Sequence, residues 1–106
     1  MESPLEIDVA TAATQFRAGA LLLDVREPSE VDQVRVEGSE HIPMRQIPER
    51  LDDLPRDRDI LVMCHHGGRS MRVTQFLRAQ GFDRVSNVTG GIDAWALAID
   101  SSLPRY

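Results

Sequence analysis

Two continuous apolar runs constrain the fold of this chain more than any other feature. ALLLDV (20–25) and DILVM (59–63) are each long enough for one strand. Neither shows the alternation of polar and apolar residues that is typical of a strand with one solvent-exposed face. Helical patterns lie between and after these runs. Strands that alternate with helices form a mainly parallel sheet with helices on both faces. The sequence therefore predicts an α/β fold.

Capping and breaking residues define the remaining elements. Asp8 precedes a helical segment that Gly19 ends, and Pro28 suits the first turn of another helix. Two shorter runs, 39–44 and 84–88, have the composition of strands. We predict helices at 9–18, 28–33, 47–54 (starting near Pro48), from Ser70 to Gly81, and at 92–99.

Length and charge narrow the classes of protein that this chain can be. Its 106 residues fit one domain, 1–106. The net charge of -5 and the lack of a basic patch predict no nucleic-acid partner. All 12 cationic residues are arginine, which excludes a lysine Schiff base and a P-loop lysine.

The chain contains a single cysteine, so an internal disulfide cannot stabilise it. No apolar run approaches the ~20 residues of a membrane span. The first residues, MESPLEIDV, lack the basic and apolar regions of a secretory leader. We therefore expect a cytoplasmic protein with no membrane partner.

The single cysteine, Cys64, lies in the segment MCHHGGRS (63–70), where the second apolar strand ends and a helix begins. In parallel sheets the functional crevice lies beyond the carboxyl ends of the strands. Gly67 and Gly68 let successive N–H groups turn toward a small anion, and the following helix adds its own free N–H groups. Such a loop stabilises a thiolate and lowers the pKa of the thiol, and Arg69 adds a permanent cation.

Other interpretations of these residues stay open at this point. A free cysteine is often a small buried hydrophobe. A zinc site formed by Cys64, the loop histidines and His41 lacks the usual ligand spacing, so we predict no metal. His41 is most simply a structural residue on a short strand, and Trp95 and Phe76 are most simply core residues.

Four segments of the sequence resemble the rhodanese family of sulfurtransferases, and together they cover nearly the whole chain. LLLDVREPSE resembles the first signature of the family, and EGSEHIPM resembles the second, although Val34-Arg35-Val36 departs from the step that usually precedes Gly38. MCHHGGRS resembles the active loop, with Cys64 at the position of the persulfide-forming cysteine. GFDRVSNVTGGIDAW resembles the closing segment. The resemblance implies a rhodanese-like three-layer fold, with a five-stranded, mainly parallel sheet flanked by helices on both faces.

The resemblance also implies an activity. A sulfane sulfur would pass from a small anionic donor such as thiosulfate to a thiophilic acceptor (cyanide, a thiol or a sulfur-carrier protein) through a Cys64 persulfide, without a metal or an organic cofactor. The tail AWALAIDSSLPRY is similar to rhodanese domains fused to enzymes that charge sulfur carriers. Cys64 is the expected catalytic residue, and the expected substrate-binding residues are His65, His66, Gly67, Gly68, Arg69 and Ser70.

Two other functions remain as alternatives. Cysteine-dependent phosphatases also use a Cys-loop-Arg arrangement, but with five intervening residues, whereas four separate Cys64 from Arg69 here. A non-catalytic rhodanese-like binding module commonly lacks the cysteine. The Arg69 guanidinium has two possible orientations: toward the loop, which we favour, or outward against a carboxylate such as that of Asp24.

Overall fold

The computed structural model describes residues 3–106, so the first two residues of the predicted domain lie outside the described part. Two 3-10 helices, Met44–Glu49 and Leu51–Asp53, separate the third and fourth strands. The strands and α-helices are β1 (Glu6–Ile7), α1 (Val9–Arg17), β2 (Leu21–Asp24), α2 (Pro28–Gln33), β3 (Glu40–His41), β4 (Ile60–Met63), α3 (Gly68–Ala79), β5 (Val85–Val88) and α4 (Gly91–Ala98).

The five strands form one parallel sheet in the order β1-β5-β4-β2-β3. The predicted α/β fold is confirmed, and both strong apolar runs occupy interior positions. β4 lies at the centre between β2 and β5, which explains why its sequence lacks polar residues. Because Asp24 pairs with Met63, the carboxyl ends of β2 and β4 lie side by side.

Two apolar clusters cover the two faces of the sheet. Leu61 and Met63 point into the cluster formed with α1 and α4, where Trp95 meets Phe16 edge-to-face at 6.2 Å. Ile60 and Val62 point into the other cluster, which includes residues of α3 and of the first 3-10 helix. Trp95 is a core residue as predicted, whereas Phe76 is only partly buried at the edge of the second cluster.

Proline determines where the structure departs from the predicted helices. The single helix predicted over 47–54 is not present as such, since two short 3-10 helices, Met44–Glu49 and Leu51–Asp53, occupy this region. An α-helix that begins at Met44 is disfavoured, because Pro48 has no N–H to donate and its ring would clash with the Met44 carbonyl. The strand predicted over 39–44 is only Glu40–His41, because Met44 already begins the first 3-10 helix. No described helix has the length and apolar character needed to cross a membrane.

Two differences from the predicted elements bear on the loop that contains Cys64. β1 was not predicted from the sequence pattern, because its two residues are too few to show a period, although they pair with Asn87 and Val88. The third α-helix starts at Gly68 and not at Ser70 as predicted. Arg69 and Ser70 therefore lie in the first turn of α3, next to its free N–H groups.

Candidate active site

Cys64 follows the central strand directly and is 1% exposed. Its side chain belongs to the second apolar cluster, but its Sγ faces the start of α3. The Gly67 N–H donates a hydrogen bond to Sγ at 3.1 Å, and Ser70 Oγ lies 3.3 Å from the same sulfur. The interpretation of Cys64 as only a small buried hydrophobe does not account for these polar contacts. The thiol lies in a pocket of donors, which we call the sulfur cup, lined by Gly67, Arg69 and Ser70.

The two loop glycines have different roles. Gly67 precedes the helix with a φ of +117°, a conformation that side chains disfavour. Gly68 is already helical, and a Cβ built on it would meet no heavy atom within 4 Å. Only Gly67 is therefore required by the backbone of the cup, whereas the sequence pattern suggested that both glycines are.

Two opposing effects act on the pKa of the Cys64 thiol. Burial raises the pKa of the thiol, but donors around the sulfur outweigh burial, and the net pKa is below its ordinary value. These donors are the Ser70 hydroxyl and the backbone N–H groups of Ser70, Gly67 and Arg69. The lowered pKa expected from the sequence is confirmed, and it favours the nucleophilic thiolate.

Asn87, which sequence reasoning did not single out, holds the cup in place from β5. Its Oδ1 accepts a hydrogen bond from Ser70 Oγ at 2.5 Å, and its Nδ2 donates to the Gly67 carbonyl at 3.3 Å. Asn87 is 2% exposed, and a polar residue inside a buried strand is the signal that could have identified it. Because Ser70 has one hydroxyl proton, its bonds to Asn87 and to Sγ are alternatives.

The start of α4 supports the loop from behind. The N–H groups of Ile92 and Asp93 donate to the carbonyls of Cys64 and His65 at 2.9 and 3.2 Å. Gly91 approaches so closely that a Cβ on it would lie 2.3 Å from the Cys64 carbonyl oxygen. The TGG turn therefore fixes the direction of the loop backbone, which sequence reasoning did not anticipate.

Arg69 adopts the outward orientation, against a carboxylate that we did not predict. Its Nη1 and Nη2 donate to Glu30 Oε1 and Oε2 at 2.5 and 2.9 Å. Asp24 is unavailable, since its carboxylate binds the guanidinium of Arg26 through Nε and Nη2. The favoured inward orientation of Arg69 is thus wrong in this structure. The hydrogen bonds from Arg69 lower the pKa of Glu30 to about 2.

The loop histidines stack instead of converging on a common point. The His65 ring lies between His66 and Tyr106, with centroid distances of 3.9 and 3.8 Å. Possible ligand atoms of His65, His66 and Asp93 lie within 4.8 Å of one another. However, the two imidazole planes differ by only 28°, so their lone pairs do not meet at one ion, and Arg105 already binds the Asp93 carboxylate. His41 is not part of this group of ligand atoms. Its Nε2 forms a hydrogen bond of 2.7 Å with the Arg26 carbonyl, as expected of a structural residue.

Comparison with known proteins identifies the class to which this fold and loop belong. The rhodanese-like domain family matches residues 8–98. The chain is 42% identical over 95 residues to rhodanese-like/PpiC domain-containing protein 12 of Arabidopsis thaliana, with 86% of this chain aligned but only 32% of that protein. It is 33% identical over 96 residues to thiosulfate sulfurtransferase GlpE of Vibrio cholerae, covering 90% of this chain and 91% of the relative.

A solved structure gives the same result. A rhodanese-related protein from Thermoplasma volcanium is 33% identical and superposes with a TM-score of 0.81, over 95% of this chain and 96% of that one. The chain belongs to the rhodanese-like domain family, and its fold is the rhodanese-like one that the motifs implied. The relatives include sulfurtransferases, so sulfur transfer is the general class of activity to consider for the sulfur cup.

Proposed function

We propose that this protein is a sulfurtransferase in which Cys64 carries the transferred sulfur as a persulfide. The observation that supports this most is the sulfur cup, where a buried thiol accepts the Gly67 N–H, lies 3.3 Å from the Ser70 hydroxyl and has a lowered pKa. The Vibrio cholerae relative is named for thiosulfate, which makes a donor of that type the first one to test. A free thiol stays reduced most readily in a reducing compartment, so we propose that the reaction takes place in the cytoplasm.

The first half-reaction loads Cys64. Its thiolate attacks the sulfane sulfur of thiosulfate and forms a new S–S bond, while the donor's own S–S bond breaks and sulfite leaves with the bonding pair. The product is an anionic persulfide on Cys64. Backbone N–H groups of Gly67, Arg69 and Ser70 stabilise the negative charge on sulfur before and after the step.

The second half-reaction unloads the persulfide. A thiophilic acceptor such as cyanide, a thiol or a sulfur-carrier protein attacks the outer sulfur, and the Cys64 thiolate leaves with the electron pair of the S–S bond. Gly68, which is exposed, and the rings of His65 and His66 form the rim that an acceptor meets. No step requires a metal or an organic cofactor.

The Arg69 contact weighs against a phosphatase. A cysteine-dependent phosphatase needs its loop arginine to bind phosphate with both nitrogens. Here both nitrogens bind Glu30, and the loop has four intervening residues. We therefore expect little hydrolysis of an aryl phosphate. Efficient phosphate release without a detectable persulfide would favour the phosphatase alternative.

Mass spectrometry of the intact protein after incubation with thiosulfate tests the proposal. We expect one added sulfur atom, removed again by cyanide. Since the chain has one cysteine, protein alkylated beforehand is a matched control that must gain nothing. A protein that stays unmodified by thiosulfate and by other sulfane donors would instead be a non-catalytic binding module.

A further inference from the structure

The Glu30 carboxylate is held by donors from three parts of the molecule. Oε1 accepts from the Glu27 N–H at 3.0 Å and from Arg69, and Oε2 accepts from Arg69 and from the Tyr106 hydroxyl at 2.7 Å. Arg26 Nη1 in turn donates to the Tyr106 oxygen at 3.0 Å, which directs the hydroxyl proton toward Glu30. Burial raises the pKa of Tyr106 to about 12, so this proton is present at neutral pH. We call Glu30 and Tyr106 the carboxylate clamp.

The carboxylate clamp changes the charge that a donor meets at the sulfur cup. Arg69 lies in the first turn of α3, within electrostatic reach of Cys64, but its guanidinium is neutralised by a bidentate carboxylate. Arg105, beside the loop histidines, is likewise paired with Asp93 at 2.8 Å. Burial and the adjacent His66 ring lower the pKa of His65, which keeps that ring neutral. The anion site thus consists of N–H dipoles next to two neutralised arginines.

We propose that the carboxylate clamp determines donor selectivity, disfavouring dianionic donors such as thiosulfate relative to sulfane-sulfur donors with one negative charge or none. This inference rests on the proposed function and deepens it. Glu30 and Tyr106 are positioning residues, since they act through Arg69 and touch neither sulfur nor donor. An alkanethiosulfonate or an organic persulfide belongs to the favoured class. With it, the Cys64 thiolate takes the outer sulfur, and a sulfinate or a thiolate leaves with the electron pair.

Glu30→Gln removes the charge of the carboxylate clamp and keeps its shape. The amide has one acceptor oxygen in place of two, so it cannot satisfy both Arg69 nitrogens, while glutamine still supports the capping box of α2. Because Coulomb energy scales with the donor's charge, the fold-gain in kcat/KM for a dianion is the square of the gain for a monoanion. We expect about tenfold for thiosulfate and about threefold for methanethiosulfonate.

Glu27→Gln is the matched control. It makes the same charge change on the same helix, where Glu27 pairs with the exposed Arg45 and not with the loop. We expect the thiosulfate-to-methanethiosulfonate ratio of kcat/KM to rise about threefold in Glu30→Gln and to stay at the wild-type value in Glu27→Gln. An unchanged or lower ratio in Glu30→Gln, or an equal rise in Glu27→Gln, would overturn the proposal.

Tyr106→Phe provides a second variant that leaves every charge in place. It keeps the ring on His65 and removes one of the donors that hold the carboxylate. Because the carboxylate is then held less firmly on Arg69, the thiosulfate-to-methanethiosulfonate ratio of kcat/KM should rise, but by less than in Glu30→Gln. An unchanged or lower ratio would remove Tyr106 from the carboxylate clamp.

These outcomes can be told apart from a failure of the proposed function. If wild-type protein forms no persulfide with either donor, the proposed function is refuted. If wild-type protein forms the persulfide but Glu30→Gln leaves the thiosulfate-to-methanethiosulfonate ratio of kcat/KM unaltered, only the proposed selectivity is refuted.

Discussion

Two arginine–carboxylate pairs lie close together in this molecule and have different roles. Arg26 and Asp24 are 0% and 1% exposed, whereas Arg69 and Glu30 are 33% and 17% exposed at the sulfur cup. The buried pair also binds the Val34 carbonyl and the Tyr106 hydroxyl, so it ties the end of β2 to two distant segments. Similar bidentate chemistry therefore supports the fold in one place and adjusts the charge of a site in the other. Burial makes the difference.

The largest expected effect is the loss of stability when the buried pair is broken. Arg26→Met leaves the Asp24 carboxylate buried without its main partner and should lower the free energy of unfolding by about 3–5 kcal/mol. Arg69→Met leaves Glu30 with other donors and partial access to water, and should cost about 1 kcal/mol or less. Chemical denaturation of both variants measures the contrast. Equal losses would mean that burial does not distinguish the pairs.

Two adjacent glycines of the loop provide a second contrast, between a position whose backbone requires glycine and one whose backbone does not. Gly67→Ala places a side chain at a φ of +117° and should cost about 1–2 kcal/mol of stability. It should also lower sulfur transfer, because the Gly67 N–H would shift from Sγ. Gly68→Ala adds a methyl group to an exposed helical position and should be neutral or slightly stabilising. Thermal melts and steady-state rates of the two variants would refute this account if both behaved alike.

The effect of removing Arg69 should be smaller in free energy and specific to the donor. Arg69→Ala leaves the Glu30 carboxylate without its ion-pair partner near the sulfur cup. Its negative charge should lower kcat/KM by about tenfold for thiosulfate and about threefold for methanethiosulfonate. Steady-state kinetics with both donors measures the difference. Equal losses for the two donors, together with a lowered melting temperature, would mean that Arg69 supports only the fold and that the charge of its pair with Glu30 does not affect the donor.

The smallest effect is a pH dependence of stability from Glu30. Its pKa in the folded protein is about 2, below the ordinary 4.5. The pair's contribution is thus present above pH 4.5 and is lost as the pH falls toward 2. The wild-type advantage over Glu30→Gln, about 1 kcal/mol at neutral pH, should shrink across this range. Denaturation curves at several pH values measure it, and a constant difference would contradict the pairing.

The sequence predicts the elements whose signal is local. Continuous apolar runs identified the two interior strands, and Asp8 and Pro28 marked the starts of α1 and α2 where the structure has them. The position of Cys64 at the carboxyl end of a buried strand, before a glycine and a helix, was equally local. The lowered pKa of its thiol followed from that arrangement.

What the sequence could not show depends on packing between distant segments. The partner of Arg69 is 39 residues away, and the choice of Glu30 over Asp24 follows from the way α2 and the buried Arg26 pack near the loop. Asn87 and Gly91 reach the loop only because β5 and the TGG turn lie beside it. The segment after α4 gave no sign that Tyr106 would stack on His65.

Sulfur transfer by a Cys64→Ser variant tests the central claim most directly. A serine hydroxyl in the same cup does not ionise and cannot form a persulfide, while the nearly isosteric change leaves the fold intact. In a thiosulfate and cyanide assay we expect wild-type protein to produce thiocyanate and Cys64→Ser protein with a native melting curve to produce none above background. Substantial thiocyanate formation by well-folded Cys64→Ser would contradict the persulfide mechanism.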